Sequence, residues 1–379
     1  MSSKRIVIAG DFPLDPPNVV GGIQAVIYFT LTELAAYSDL EIFVVTCEKW
    51  GAAGLRKSWI QQARDWTTYY LPSTPLLPHT WTMLTTDRRN VARTIRQLRP
   101  DLIHAHGQVA AYPWAGFDSG FPTVVTVHGI NALEAQIDRR GGRWRGALRA
   151  WLWNQVERAC LRRAQDLVII SPFVAEVVKP VSAARLHWIE NPVQPDLFEL
   201  NHEQRIPGRI LYVGSIQKRK GLLDLISTVD RLRDRLPEVH LHVAGEFLPA
   251  YAAYGDQVRW QVKKRALEDK IIFLGHLDRK ALLHEYQRCA VFCLPSYLEA
   301  SPVVVAEAMA AGCPVVTTDI ASTAHLVRSG ENGFRVPSGD VECLADILEL
   351  VLKDPLLQKR LGLVAQEIAK ERFTPSRAA

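Results

Sequence analysis

The sequence lacks the motifs that mark several classes of protein. It contains no CxxC pair, no Walker A loop and no Asp-x-Asp motif. Its few cysteines form no Cys/His cluster, which argues against a disulfide framework or a zinc site, so we expect reduced, mostly buried thiols. They are Cys47, Cys160, Cys289, Cys293, Cys313 and Cys343.

Neither sign of charge dominates, and long apolar runs are missing. Lys and Arg number 45 against 40 Asp and Glu, a net charge of +5 that is too small to predict a nucleic-acid partner. The apolar run after Lys4 and Arg5 is shorter than the core of a signal peptide. The longer apolar stretch 300–318 contains Glu307 and two prolines, which argues against a membrane span. We therefore expect a soluble, cytoplasmic protein.

Short apolar runs alternate with amphipathic stretches along the whole chain. This pattern is typical of parallel β-α-β units with helices on both faces of the sheet. The alternation weakens at 191–208, which is rich in proline and charge and is predicted to be a domain linker. The sequence thus predicts an α/β fold with two Rossmann-like parallel-sheet domains, 1–190 and 209–379, facing a cleft. Such sheets bind ligands at the carboxyl ends of their strands.

The segment 213–221 (VGSIQKRKG) follows a predicted strand and precedes a predicted helix. Gly214 and Gly221 would let backbone amides approach a phosphate, and the cations at 218–220 would supply positive potential at the helix start. A solvated basic turn explains the same residues equally well. The segment alone leaves both interpretations open.

Two glutamates, Glu299 and Glu307, lie in the loop after a predicted strand and in the helix that follows it. Pro302 suits a first helical position and Gly312 a C-cap, so the helix between them is short. A glutamate among Val, Ala and Met needs hydrogen-bond donors when it is buried. Ribose hydroxyls would provide these donors, and so would a neighbouring arginine or backbone amide in a purely structural role.

Two weaker signals occur in the first half of the chain. The pair Gly21-Gly22 presents bare backbone at the start of the first long helix, although most such pairs only turn the chain. His128 ends the predicted strand 123–128, where ligands of the first domain should bind. A single histidine at a strand end is more often structural.

In this order, the motifs resemble the family 4 retaining glycosyltransferases of the GT-B fold, the glycosyl transferases group 1. The glycine pair, the strand-end histidine, the G-x5-K-G turn and the E-x7-E pair with A-G-x-P-V-V all match. Further segments match as well, and the likeness covers nearly the whole chain, most strongly from 210 to 344. They are 101–106 (DLIHAH), 166–172 (DLVIISP), 243–245 (VAG), 273–275 (FLG) and 329–340 (SGENGFRVPSGD).

The resemblance implies roles for individual residues. Lys220 would bind the donor diphosphate, Glu299 the hydroxyls of the transferred sugar, and Glu307 the ribose. Gly22 would approach the diphosphate from the other domain, and His128 would lie beside the sugar and the acceptor. Lys220, Glu299 and His128 are therefore the expected catalytic residues. The remaining donor-binding residues implied by the resemblance are Gly214, Ser215, His276, Leu277, Ala300, Ser301 and Val303.

Two positions depart from the family pattern. Ser215 occupies the place where the family often has an arginine that joins the lysine on the diphosphate, so Lys218 or Arg219 would have to supply that charge. Ala300 replaces a common glycine after the first glutamate, which would alter the backbone path around the sugar. Because Lys220 and both glutamates are present, we expect an active enzyme.

The resemblance implies a retaining, metal-independent transfer of a sugar from a nucleotide-sugar donor, UDP- or GDP-linked, to a hydroxyl. The missing Asp-x-Asp motif agrees with metal independence, and no metal site or resident cofactor is expected. The acceptor would be a saccharide, a glycolipid or a small molecule, in bacterial polysaccharide, lipopolysaccharide or glycolipid biosynthesis. The alternatives are a nucleotide-sugar epimerase of the same fold and a catalytically silent nucleotide-sugar-binding protein.

Two further segments carry expectations. Residues 139–163 hold eight arginines and one glutamate between tryptophans, which favours a helix packed on the sheet and leaves open a peripheral contact with the inner face of an anionic membrane. The end of the chain, 374–379, is predicted to be too short for a stable closing helix.

Overall fold

The computed structural model describes residues 3–16, 19, 21–49, 58–73, 85–138, 143–201 and 204–378. The chain forms two compact units. The first comprises Met1–Pro192 together with Pro375–Ala379, and the second comprises Val193–Thr374.

The first unit is built around an eight-stranded sheet in the order β3-β4-β2-β1-β5-β6-β7-β8. All described pairings in it are parallel except that of β3 with β4. The strands are β1 Lys4–Ala9, β2 Leu40–Lys49, β3 Trp59–Gln62, β4 Thr67–Ser73, β5 Leu102–His106, β6 Thr123–Val127, β7 Asp166–Ile169 and β8 Arg185–Trp188. The helices are α1 Gly22–Leu34, α2 Thr85–Leu98, α3 Ala111–Ser119, α4 Asn131–Asp138, α5 Arg143–Arg163, α6 Pro172–Val178 and α13 Pro375–Ala378.

The second unit contains a six-stranded parallel sheet in the order β11-β10-β9-β12-β13-β14. Its strands are β9 Arg209–Val213, β10 His240–Ala244, β11 Ile271–Gly275, β12 Val291–Leu294, β13 Val315–Thr318 and β14 Gly333–Val336. Its helices are α7 Leu222–Leu232, α8 Ala252–Lys264, α9 Arg279–Arg288, α10 Val303–Ala310, α11 Val341–Lys353 and α12 Pro355–Arg372, with 3₁₀ turns at Pro195–Glu199, Lys218–Lys220 and Pro249–Tyr251.

Burial explains why the apolar runs form strands. Every residue of β12 and β13 is buried, because helices cover both faces of the second sheet. In the first unit, Ile8 of β1 and Val44 of β2 pack with Ile27 and Leu31 of α1 in one cluster. The α/β expectation is confirmed in both units.

Most of the segment predicted to be a linker, 191–208, belongs to the second unit. Val193 and Leu197 are buried in the core of the second unit, and the amide of Val193 donates a hydrogen bond to the Phe373 carbonyl at 2.9 Å. The amide of Ile206 bonds to Arg288 O, also at 2.9 Å. The proline-rich composition therefore indicates an irregular backbone. The segment is nevertheless packed, because Val193 and Leu197 fill positions in the core of the second unit.

The end of the chain also corrects an expectation. Pro375–Ala378 forms a short helical turn that lies against α1, so these residues belong to the first unit. Proline at the first helical position pre-sets the backbone angle, and tertiary contact stabilises a turn that isolated residues could not keep.

The segment 322–327 forms turns rather than a helix. The hydroxyl of Thr323 donates to the Thr318 carbonyl at 2.6 Å and accepts from the amide of Ile320 at 3.3 Å. Such side-chain-to-backbone bonds compete with helical ones.

Candidate active site

The second sheet changes direction between β9 and β12, which are neighbours although the chain visits β10 and β11 between them. Connections from the two strands run to opposite sides, and open α/β sheets bind ligands at such a point, beyond the carboxyl ends. Lys220 follows β9 and Glu299 follows β12. The topology therefore brings these two predicted residues to one place.

Glycines allow the loops after β9, β10 and β12 to approach one another closely. Gly221 has φ +70°, and a Cβ atom there would lie 1.9 Å from the carbonyl oxygen of Pro295. Gly214 has φ +150°. A Cβ atom on Gly245, which follows β10, would lie 1.9 Å from the carbonyl oxygen of Gly214. A side chain at Gly221 or Gly245 would therefore push the strand ends apart.

Glu299 receives three side-chain contacts within this turn. Lys220 Nζ lies 2.6 Å from Oε1 and Arg219 Nη1 lies 3.1 Å from Oε2. The Ser296 hydroxyl donates to Oε1 at 2.8 Å. The carboxylate is buried, with 7% of its side chain exposed, and the side chains of Arg219 and Lys220 are 14% and 12% exposed. The result is an ionic cluster with excess positive charge, held at the end of the sheet.

The two cations decide the protonation state of Glu299. Burial raises the pKa of its carboxyl, but Lys220, Arg219 and the hydrogen bond from Ser296 outweigh burial, so the pKa lies below its usual value. Glu299 is therefore an anion at neutral pH and can accept hydrogen bonds from a hydroxylated ligand.

Glu307 makes a separate contact on α10. Its Oε2 atom lies 3.0 Å from the Tyr286 hydroxyl of α9, which is fully buried. Burial raises the pKa of Glu307, and the Tyr286 hydrogen bond opposes this only in part. The carboxylate thus has one strong donor and capacity to accept more.

The other predicted donor-side residues lie at the same end of the sheet. The Ser215 hydroxyl accepts a hydrogen bond from the Gln217 amide. His276 and Leu277 follow β11, where Leu277 lines a cavity of about 350 Å³ beside α9. Ala300, which is buried, and Ser301 connect Glu299 to Val303 at the start of α10. Their assigned roles stay predictions.

His128 lies in the first unit, directly after β6. Its Nε2 atom is 2.8 Å from Nδ1 of His106, whose ring stacks on the His128 ring at a centroid distance of 5.1 Å and 18°. Burial lowers the pKa of His128 to about 3 and that of His104 to about 4. Burial also lowers the pKa of His106 well below its usual range. All three rings are therefore neutral at pH 7.

Sequence reasoning missed the residues that support His128. His106 ends β5, beside β1, where the first sheet changes direction. The buried Gln108 amide donates to the Gly129 carbonyl and to Glu157 Oε1, the latter at 2.7 Å, and Glu157 accepts from the amides of Asn131 and Ala132. The segment DLIHAH (101–106) marked the strand, but no local signal linked Glu157 to this loop.

Gly22 and the arginine-rich helix complete the first unit's predicted features. Gly21 has φ +99°, and α1 begins at the exposed Gly22.

On α5, Trp151 is 56% exposed and Trp153 is half-buried, so Trp151 departs from the expectation that the tryptophans of this helix pack on the sheet. Arg163 lies over the Trp114 ring at 5.6 Å. Membrane contact of α5 stays a prediction, as does a role for Gly22. Among the described residues, none of the helices combines the length and apolarity that crossing a membrane requires.

Comparison with known proteins assigns the family. Residues 20–197 match the model described as Glycosyltransferase Family 4, and residues 198–367 match the one described as Glycosyl transferases group 1. The phosphatidyl-myo-inositol mannosyltransferase of Mycobacterium leprae is 30% identical over 277 residues, covering 71% of this chain and 69% of that protein. The chain belongs to glycosyltransferase family 4, as the motifs predicted.

Other relatives share part of their length or only the fold. The glycogen synthase of Mycobacterium tuberculosis is 31% identical over 282 residues, which cover 72% of this chain and 65% of that protein. Sucrose-phosphate synthase from Thermosynechococcus elongatus has a TM-score of 0.82 at 22% identity, covering 98% of this chain and 95% of its own. Anabaena HepE in complex with UDP and glucose has a TM-score of 0.71 at 20% identity, with coverages of 97% and 95%. The GT-B fold expected from the sequence is thereby confirmed.

Proposed function

We propose that this protein transfers a sugar from a nucleotide-sugar donor to an acceptor hydroxyl, with retention of anomeric configuration and without a metal ion. The observation that carries the proposal is the buried cluster of Lys220, Arg219 and Glu299 at the topological switch point of the second sheet. A phosphate leaving group and a sugar need a cation beside a hydrogen-bond acceptor, and the cluster offers both.

In the proposed step, the bond between the anomeric carbon and the phosphate oxygen breaks while a bond to the acceptor oxygen forms on the same face. The departing phosphate accepts the acceptor's proton. Lys220 stabilises the charge that develops on that phosphate, a contribution worth about 3 kcal/mol in a site that excludes water. Glu299 accepts hydrogen bonds from hydroxyls of the transferred sugar, which orients the anomeric carbon.

Glu307 would hold the ribose of the donor, because its carboxylate keeps acceptor capacity beyond the Tyr286 bond. His128 would lie on the acceptor side. A neutral histidine donates or accepts a hydrogen bond without adding charge, which suits contact with sugar hydroxyls.

The donor is proposed to be UDP- or GDP-linked. The relatives named above as glycogen synthase and mannosyltransferase, and the HepE complex with UDP and glucose, support a nucleotide sugar. The acceptor would be a saccharide, glycolipid or small molecule in bacterial polysaccharide, lipopolysaccharide or glycolipid assembly, on the cytoplasmic side.

A silent nucleotide-sugar-binding protein is the second candidate, favoured by Ser215 at a position where the family often carries arginine. A panel of UDP, GDP, ADP and their sugars distinguishes the two, read first as melting-temperature shifts and then as nucleotide release. The transferase should show both, and should retain activity in EDTA. A melting shift without turnover would favour the silent binder, and loss of activity in EDTA with recovery on Mn²⁺ would overturn metal independence.

A further inference from the structure

Two cations contact one carboxylate in the second unit, and one of them, Arg219, is also tied to the loop that carries this carboxylate. Lys220 Nζ contacts Glu299 Oε1 at 2.6 Å. Arg219 Nη1 contacts Oε2 at 3.1 Å and also donates to the Leu298 carbonyl at 3.2 Å. The backbone of Arg219 makes a third contact, because its carbonyl accepts a hydrogen bond from the amide of Tyr297 at 2.7 Å. Arg219 is thus fixed to the Glu299 loop by both side chain and backbone.

The ties of Arg219 matter once a donor binds. If Lys220 turns toward a diphosphate, as the proposed function requires, Glu299 loses the nearer of its two cations. A buried carboxylate without a counter-charge costs several kcal/mol or takes up a proton. A protonated Glu299 would accept fewer hydrogen bonds from the sugar and would orient it poorly.

We propose that Arg219 is a positioning residue that keeps Glu299 ionised and its loop in place while Lys220 moves to the donor phosphate. The inference rests on the proposed function. Lys218 is exposed, whereas the side chain of Arg219 is only 14% exposed and contacts Glu299. Arg219 therefore acts through Glu299 rather than on the phosphate.

The inference predicts a pH signature. The charged or titratable groups that face Glu299 are Lys220 and Arg219 on the 3₁₀ turn and the buried Tyr212 hydroxyl on β9. Tyr212 is neutral, since burial raises its pKa well above the usual value. With Lys220 on the phosphate, only Arg219 among these groups supplies positive charge to the carboxylate. Removing it raises the pKa of Glu299, so activity is lost at a higher pH as the solution is acidified.

The test uses Arg219→Gln, Arg219→Lys and the control Arg231→Gln, which removes an exposed ion pair with Glu342 on the surface of the same unit. UDP-glucose with UDP, or GDP-mannose with GDP, serves as the probe pair, according to which pair the wild type binds. We expect Arg219→Gln to lower kcat/KM about 10- to 100-fold at pH 7. The acid limb of its pH–activity profile, where activity is lost on acidification, should move to higher pH. Affinity for the nucleotide sugar should fall about tenfold, while affinity for the bare nucleotide changes less than about threefold. Arg219→Lys should restore most of the loss, and Arg231→Gln should match the wild type.

Several outcomes would overturn the inference. These are an unchanged acid limb in Arg219→Gln, an equal loss of affinity for nucleotide and nucleotide sugar, or the expected loss in Lys218→Gln instead. Melting temperatures of all variants identify any that fail to fold; if Arg219→Gln does, Arg219→Met, which also removes the charge, replaces it in the pH and affinity measurements. A wild type that binds without turnover would overturn the transferase, and the affinity comparison would still decide the role of Arg219. A wild type that binds neither probe pair would overturn both.

Discussion

The Nζ atom of Lys220 lies 2.6 Å from Oε1 of Glu299, although the two residues belong to different β-α connections of the second sheet. Their contact follows from the strand order, because β9 and β12 are neighbours and both residues lie just past the carboxyl ends. The ion pair is buried, so the carboxylate of Glu299 depends on Lys220 and Arg219 for its charged state. This relationship determines which substitutions are informative.

Substitution of Glu307 should separate binding from chemistry. Glu307→Gln keeps the size of the side chain but loses the anionic acceptor, so we expect about tenfold weaker binding of the nucleotide and a smaller change in kcat. Isothermal titration with the nucleotide selected by the panel measures this. Tyr286→Phe, which removes only the hydroxyl that donates to Glu307, is the matched control and should have a lesser effect. Unchanged nucleotide affinity in Glu307→Gln would contradict the ribose assignment.

His128→Ala should impair transfer by about 100-fold while the affinity for free nucleotide stays near that of the wild type. The reason is that His128 lies in the first unit, on the side assigned to the acceptor. His187→Ala, on the exposed edge strand β8, controls for the loss of a histidine. If His128→Ala lost nucleotide affinity as strongly as Glu307→Gln, the division of roles between the two residues would be wrong.

Gly221→Ala should destabilise the protein far more than another alanine at positive φ. Gly330 has φ +82° with open space around its Cβ position, so Gly330→Ala should cost only about 1–2 kcal/mol of backbone strain. Gly221→Ala adds a collision with the Pro295 carbonyl and should cost about 3 kcal/mol or more. Urea unfolding compares the two variants. Equal losses would show that the close approach of the turn to β12 is not needed.

Stability should fall as the pH is lowered from about 6.5 toward about 4. Burial lowers the pKa of His104 to about 4 and that of His128 to about 3, so the unfolded chain takes up protons in this window before the folded chain does. Each such histidine contributes a slope of about 1.4 kcal/mol per pH unit. Urea midpoints between pH 7 and 4.5 should show this fall. In His104→Asn, the slope of the unfolding free energy against pH should be smaller by about 1.4 kcal/mol per pH unit, the contribution of one proton. An unchanged slope in that variant would contradict the assignment of a neutral buried His104.

The sequence predicted the central strands well because burial on both faces makes their whole length apolar. β12 and β13 are examples, each buried throughout. The edge strands β3 and β8 are not predictable in this way, because most of their residues are exposed and their sequence carries no continuous apolar run. Local patterns also could not show that Val193 fills a core position of the second unit, since that depends on long-range packing.

The candidate site shows the same limit. Motif order proposed Lys220, Glu299 and His128 as candidates, but the contacts that determine their chemistry join distant segments. The stacking of His106 on His128 and the pairing of Arg219 with Glu299 depend on which strands are neighbours. No spacing within the sequence specifies those neighbours.

The most direct measurement of the central claim is the consumption of a nucleotide sugar, followed by NMR in the presence of a panel of saccharide and glycolipid acceptors. The wild type should release the nucleoside diphosphate and form a product with the anomeric configuration of the donor. Lys220→Ala should do so at least about 100-fold more slowly, and Arg231→Gln at the wild-type rate. Near-normal turnover by Lys220→Ala, or inversion at the anomeric carbon, would contradict the account.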